Sequence, residues 1–356
     1  MWCDTAWNML YLSTTQGVLR VNPETAEIAR LGPAGTSTES LAVSGPVIIA
    51  AVTPNYGVPM RDPLLPRANQ GAMRSTDAGK TWQPVADGLS GSQVTALAAV
   101  GAVGTAGAAG DILVAGTDPA ELLVSRDGGA TWIQGQSLRE MPGYDRWTYP
   151  GTPHTPHVMV IVPHPTEPAV LFAGIEVGGI VRSNDGGSTW RVVGERAPNA
   201  VHADIHGLAF CLRQPHIGYA ATPAGVYYTE DGGERWEQRN NGLQPRYCRP
   251  IAVHHEEPTI AITVATNGAS GFFGIPAEQT GGAVYRTEDA GRTWRRITAG
   301  LPASIAPTPA LAADPGIPGR FYLPLFTGEV YVTDDAGVSW RSLVTGLPSI
   351  TRAVFA

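Results

Sequence analysis

The stretch that decides the fold is Thr229-Glu-Asp-Gly-Gly-Glu-Arg-Trp236, because its pattern, Ser/Thr-x-Asp-x-Gly-x-x-Trp, occurs six times. The other copies run Ser75 to Trp82, Ser125 to Trp132, Ser183 to Trp190, Thr287 to Trp294 and Thr333 to Trp340. Their aspartates stand at 77, 127, 185, 231, 289 and 335, at intervals of 50, 58, 46, 58 and 46 residues. A repeat of that period means one supersecondary unit stacked many times. Within each copy, Ser/Thr and Asp suit a turn whose side chains bond nearby backbone N–H groups, and Gly supplies a positive φ. The Trp that follows is placed to pack between neighbouring sheets.

Working outward from Thr229, each interval carries four short strand signals. Residues 204–212 read as an innermost strand, 219–222 as the second and 226–229 as the third, and Trp236 opens the outer strand. Residues 10–31 repeat the second and third strands with the plain turn Asn22-Pro-Glu-Thr, but lack an inner strand. That strand is found at the other end: Gly346-Leu-Pro-Ser-Ile-Thr-Arg-Ala-Val-Phe-Ala copies the segment after other turns, such as Asp87-Gly-Leu-Ser-Gly-Ser-Gln-Val-Thr-Ala-Leu. The expected architecture is all-β: a seven-bladed β-propeller over residues 1–356 as one domain. The C-terminal strand pairs into the N-terminal blade, so no sheet edge is left open.

The bulk composition fits. Of 356 residues, 43 are Gly and 30 Pro, as many short strands and tight turns require, and only 15% are charged. The net charge of −7 makes a nucleic-acid backbone an unsuitable partner. No uninterrupted apolar stretch reaches the ~18 residues of a membrane span. The start, Met1-Trp-Cys-Asp-Thr-Ala-Trp-Asn, lacks the basic and apolar regions of a secretory signal. Three cysteines, Cys3, Cys211 and Cys248, have no short pair spacing, so a reducing, cytoplasmic setting is expected, with each Cys a small core residue.

Alternating strand direction sorts the loops onto two faces. The Asp-bearing turns fall on one, the bottom. Second-to-third-strand loops and blade-to-blade loops fall on the other, the top. The long intervals carry their excess at the top, near 135–156 and 267–282, and a further Pro-rich top loop spans Thr53 to Gly71. Long loops on a rigid scaffold are where binding usually resides.

The rarer side chains map to the same face. Thr152-Pro-His-Thr-Pro-His157, Ile175-Glu-Val-Gly-Gly179, Val201-His-Ala-Asp-Ile-His206 and Arg246-Tyr-Cys-Arg249 all lead into or join strands of three adjacent blades. In an extended segment His202, Asp204 and His206 share one side, beside His157 and Glu176. Three readings are open. His157, His202 and His206 can hold a divalent metal such as zinc, manganese or iron, with carboxylate help. Glu176, Asp204 and His206 can instead work as a metal-free acid/base set. Or the group is a hydrogen-bonded plug that stabilises the channel. Arg249 suits an anionic substrate group. Trp147 and Tyr149, with His154, are candidates for substrate contact as an aromatic shelf, or simply anchor the inserted loop; Phe272 in the other insertion has the same two readings. His164, His216, His254 and His255 follow inner strands and read as surface or turn residues of the bottom.

The repeated turn resembles the Asp-box, or bacterial neuraminidase, repeat. Similar boxes occur in sialidases, xyloglucan-cleaving glucanases, sortilin-type receptors and a photosystem II assembly factor. The layout resembles bacterial single-propeller proteins labelled sialidase-like or glycosyl-hydrolase-like, in which segments matching Pro153–His157, Glu176–Gly179 and His202–His206 recur. The boxes carry no catalytic residue. The chain has no Arg-Ile-Pro segment, which a true sialidase uses, and a xyloglucanase is expected to need a second propeller. The resemblance therefore implies a soluble hydrolase- or lyase-type enzyme acting on a small organic or sugar-like substrate in the top pocket. Two alternatives stand beside it: a non-catalytic scaffold that binds a ligand or a protein partner, and a metal-free O-glycoside hydrolase using Glu176 and Asp204.

Overall fold

A computed structural model describes residues 9–53, 71–90, 92–101, 112–151, 153–194, 204–268, 279–305 and 308–356. Seven four-stranded antiparallel sheets are arranged as the blades of a β-propeller. Blade 1 joins the two ends of the chain. Its inner strand, Ile350–Phe355, pairs with Leu10–Thr14, followed outward by Gly17–Val21 and Ile28–Gly32. Blades 2 to 7 follow in chain order, each running from inner to outer strand.

Second and third strands are buried on both faces, as in Gly218–Thr222 and Gly225–Thr229, so they read as continuous apolar runs without alternation. Outer strands such as Glu237–Gln238 are exposed and short. Seven apolar clusters fill the spaces between neighbouring blades, including those on both sides of blade 1. Closure therefore buries apolar surface at every blade interface as well as removing strand edges. The inner strand of blade 5 is shorter than the sequence suggests: it spans Gly207–Phe210, with Asp204 and His206 just ahead of it.

The six repeated turns share one hydrogen-bond scheme. In the first, Ser75 Oγ donates to Asp77 Oδ1 (2.8 Å), and Asp77 Oδ1 accepts from the Thr81 backbone N–H (2.9 Å). The Gly79 N–H donates to Ser75 Oγ (2.8 Å). The indoles vary: Trp82 and Trp294 Nε1 reach the Leu31 and Arg239 carbonyls of the preceding blade (2.6 and 2.9 Å), whereas Trp132, Trp190 and Trp236 bond within their own turns. Arginines link successive turns around the bottom. Arg74 donates to the Gly128 carbonyl (2.6 Å), Arg126 to Gly186 (3.0 Å), Arg182 to Gly232 (3.3 Å), Arg239 to Ala290 (2.7 Å) and Arg286 to Ala336 (2.8 Å). Gly300, at φ +75°, lies against the Trp340 carbonyl so closely that a Cβ would sit 1.6 Å from its oxygen. No other residue type fits there.

Two of the histidines read as surface or turn residues, His164 and His254, bond turn backbone. His164 Nδ1 accepts from the Glu167 N–H (3.1 Å), and His254 Nδ1 from those of Glu256 and Glu257 (3.1 and 3.0 Å). Both cap the turn after an inner strand, and Asp314 does the same in blade 7. His254 is buried, so it is a turn residue and not a surface one.

The turn aspartates make stability pH-dependent. Hydrogen bonds from Thr81 hold Asp77 at about 2. Asp127 is also held at about 2, its bonds from Thr131 outweighing partial burial. Asp185, Asp289 and Asp335 are lowered too. A folded pKa below the unfolded value of ~3.9 gives stability that is complete above pH ~4 and lost as pH falls toward 2. Urea midpoints measured from pH 5 to pH 2 should therefore fall in this window. Each Asp→Asn variant should show a shallower fall than the wild type.

Candidate active site

Inner strands begin at the top of the channel, and five of them carry an extra residue near that end. Thr38 pairs with Val52 and Ser40 with Ala51, so Glu39 is the surplus residue of blade 2. Thr95 is the surplus residue of blade 3, Met159 of blade 4 and Thr351 of blade 1. In blade 6, Arg249 and Pro250 stand together where the partner strand has one residue. A β-bulge breaks the inward–outward alternation and re-aims side chains. Here the re-aimed residues converge: Glu39, Thr95, Met159, Arg249 and Thr351 all line one 80 Å³ cavity, together with His157, Glu176, His206 and Arg352. A second cavity of 170 Å³ shares His206, Pro309 and Arg352 with it and continues between the inner strands.

Two imidazole–carboxylate pairs stand in this mouth. His157 Nε2 lies 2.6 Å from Glu176 Oε2, and the backbone ties them again through the Glu176 N–H to the His157 carbonyl (3.0 Å). His157 is 1% exposed and also contacts Met159 Sδ at 3.1 Å. In the next blade His206 Nε2 lies 2.8 Å from Asp204 Oδ1. This second approach is out of line for a hydrogen bond, and neither buried atom has a hydrogen-bond partner. His206 is 5% exposed, and its Nδ1 faces the Cys248 carbonyl at 3.0 Å. Each ring packs against a tyrosine: Tyr149 edge-on to His157 at 5.3 Å, and Tyr247 tilted on His206 at 5.1 Å.

Burial opposes the charge on Glu176, but His157, His206 and Arg249 outweigh it and hold the carboxyl below its ordinary range. Glu176 is thus an anion at neutral pH, and a poor proton acceptor. Burial pushes the Tyr247 hydroxyl up and the Cys248 thiol up to about 12, so neither ionises near neutrality. One ligand atom each from Glu176, Asp204 and His206 can be chosen so that all three lie within 4.8 Å of one another.

The expected site residues are therefore brought together in part. His157, Glu176, Asp204, His206 and Arg249 share the mouth. Tyr149 is buried in its wall. Trp147 lies farther out, against Gly178, lining a 310 Å³ groove with Arg146 and Val177. His154 is exposed, at φ +65°, with its Nδ1 2.9 Å from the Tyr149 carbonyl. His202, Phe272, Cys3 and the loop 54–70 lie outside the described residues. Glu39 and Arg352 are lining residues that the sequence reading missed. Arg352 sits on the closing strand and crosses the channel, where its Nη2 donates to the Met159 carbonyl of blade 4 (3.1 Å).

The propeller geometry is shared with known proteins. The GH74 xyloglucanase of Xanthomonas campestris superposes with a TM-score of 0.68 at 16% identity, covering 96% of this chain and 53% of that one. YCF48 of Cyanidioschyzon merolae gives 0.55 at 14%, covering 89% and 88%. In sequence, the probable oligoxyloglucan-reducing end-specific xyloglucanase of Neosartorya fischeri is 35% identical over 80 residues, which is 21% of this chain and 9% of that protein. The chain thus spans about half of the Xanthomonas enzyme and a small part of the fungal one. No protein-family model matches. These likenesses are of fold, a β-propeller ring.

Replacing Arg352 by Met should remove the cross-channel bond and leave the Met159 carbonyl short of a donor, at a cost of about 1–3 kcal/mol. Urea unfolding measures it, and an unchanged midpoint would show that the bond contributes nothing.

Proposed function

We propose that the protein is a hydrolase that cleaves a small carbohydrate-like substrate bound at the top mouth of the channel. Glu176, Asp204 and His206 form the reacting centre, and Arg249 holds an anionic group of the substrate. The observation that carries this reading is the meeting of two imidazole–carboxylate pairs at one channel mouth, with the Arg249 guanidinium brought to the same cavity by a bulged inner strand. Perturbed titratable groups gathered in a cleft mark functional sites. The carbohydrate class is supported by the Xanthomonas xyloglucanase, which is similar in fold, and by the Neosartorya one, which is 35% identical over 80 residues.

In the reaction, an oxygen of water bonds to the substrate carbon as that carbon's bond to the leaving oxygen breaks, and the water's proton ends on the leaving group. Glu176 stays ionised throughout and offers negative charge to a carbon becoming positive. The buried Tyr149 and the half-buried Tyr247 beside the two imidazoles limit the access of bulk water to this charge, which strengthens it. A second reading, metal-free glycoside cleavage, is favoured by the approach of Glu176 and Asp204 oxygens within 4.8 Å, near the ~5–5.5 Å spacing of retaining glycosidases. It predicts a product that keeps the substrate's anomeric configuration.

A panel of nitrophenyl glycosides, uronides included, tests the proposal. Turnover of at least one member should fall ~100-fold or more in Asp204→Asn, while Arg249→Lys should raise KM about tenfold for an anionic member and leave kcat nearly unchanged. If no member is cleaved faster by the wild type than by Asp204→Asn, the hydrolase reading is wrong and a binding propeller takes its place.

A further inference from the structure

The 2.8 Å approach of His206 to Asp204 poses a problem of protons. A carbonyl only accepts, so the 3.0 Å contact of His206 Nδ1 with the Cys248 carbonyl places a hydrogen on Nδ1. In the neutral ring Nε2 then presents a lone pair, and it faces a carboxylate oxygen that is also electron-rich. Two lone pairs do not settle at 2.8 Å without something positive between or beside them. A second proton on the ring would supply charge, but its N–H would have no acceptor in line, since both atoms are buried without a hydrogen-bond partner.

A cation does. We propose that Glu176, Asp204 and His206 bind a divalent transition-metal ion, with zinc as the reference case; this rests on the mouth being the active centre. One imidazole nitrogen and two carboxylate oxygens suit zinc, manganese or iron, and three protein ligands leave a position open for water, as in catalytic sites. The three ligand atoms lie within 4.8 Å of one another, close to the spacing of ~3.5 Å that metal–ligand bonds of ~2.1 Å impose. Small side-chain movements close the difference.

The outer partners agree as well. His206 is oriented by a carbonyl on its other nitrogen, and Glu176 has one oxygen held by His157 and a second to offer the ion. Such outer hydrogen bonds fix the ligand's tautomer and direction. The ligand set differs from the three histidines expected from sequence. His157 is committed to Glu176, and His202 is outside the described residues.

The test uses the full chain without a histidine tag, stripped with EDTA and titrated with zinc chloride, with binding read by calorimetry and melting temperature. The wild type should bind one zinc per chain and melt higher with it. Asp204→Asn and His206→Gln should weaken binding ~30-fold or more, whereas His154→Gln, an exposed histidine, should bind as the wild type does. Less than about a tenth of an equivalent bound, or an Asp204→Asn protein that binds as tightly as the wild type, overturns the proposal. Asp204→Asn is nearly isosteric and partly exposed, so it keeps the test open if His206→Gln fails to fold. Zinc binding with no glycoside turnover leaves this inference standing and removes the hydrolase reading. Turnover by a chain that binds no metal does the reverse.

Discussion

The pairing of residues 350–355 with 10–14 is the constraint on which the rest depends. An open stack of six and three-quarter blades would leave two strand edges bare, and the apolar clusters flanking blade 1 would stand half in water. With the seam closed, every blade has two neighbours and every second strand is covered on both faces. The seam also carries chemistry. Thr351 Oγ1 donates to the Thr38 carbonyl of blade 2 (2.5 Å), and Arg352 reaches across to blade 4. The strand that completes the ring therefore also furnishes the floor of the mouth.

Legibility from the sequence followed how local each feature is. The repeated turn was readable because Ser/Thr, Asp, Gly and Trp do their bonding within eight residues. The closing strand was readable because 346–356 copies the segment after other turns. The start of the blade 5 inner strand was not. Asp204 and His206 look like strand residues, yet they stand ahead of the ladder, where His206 bonds the Cys248 carbonyl and faces Asp204. The bulges were invisible because a surplus residue exists only relative to its partner strand. Glu39 and Arg352 were missed for that reason: their approach to His157 and Glu176 depends on register and closure, which one strand's residues do not record.

The two faces divide the physical work. At the bottom, aspartates held well below the usual carboxylate range and a relay of arginines bond the backbone locally and blade to blade. At the top, the charged groups face inward across a small cavity, and their bonds leave His206 Nε2 and Asp204 Oδ1 unsatisfied. Polar groups at the bottom are spent on holding the ring. Those at the top retain capacity for a guest. The xyloglucanase and YCF48 propellers share the ring, and their likeness in shape does not carry to the mouth's chemistry.

The bulges have a consequence for how such a mouth can be altered. Glu39, Thr95, Met159 and Thr351 each occupy a surplus position, and Arg249 shares one. The side chain at such a position is decoupled from the pleat, so exchanging Glu39, Met159 or Arg249 leaves the apolar packing of the same strand in place, whereas Thr95 and Thr351 also bond the backbone of the next blade. A propeller built this way offers a small set of interchangeable seats around its axis, and new specificities can be installed there while the load-carrying sheets go unchanged.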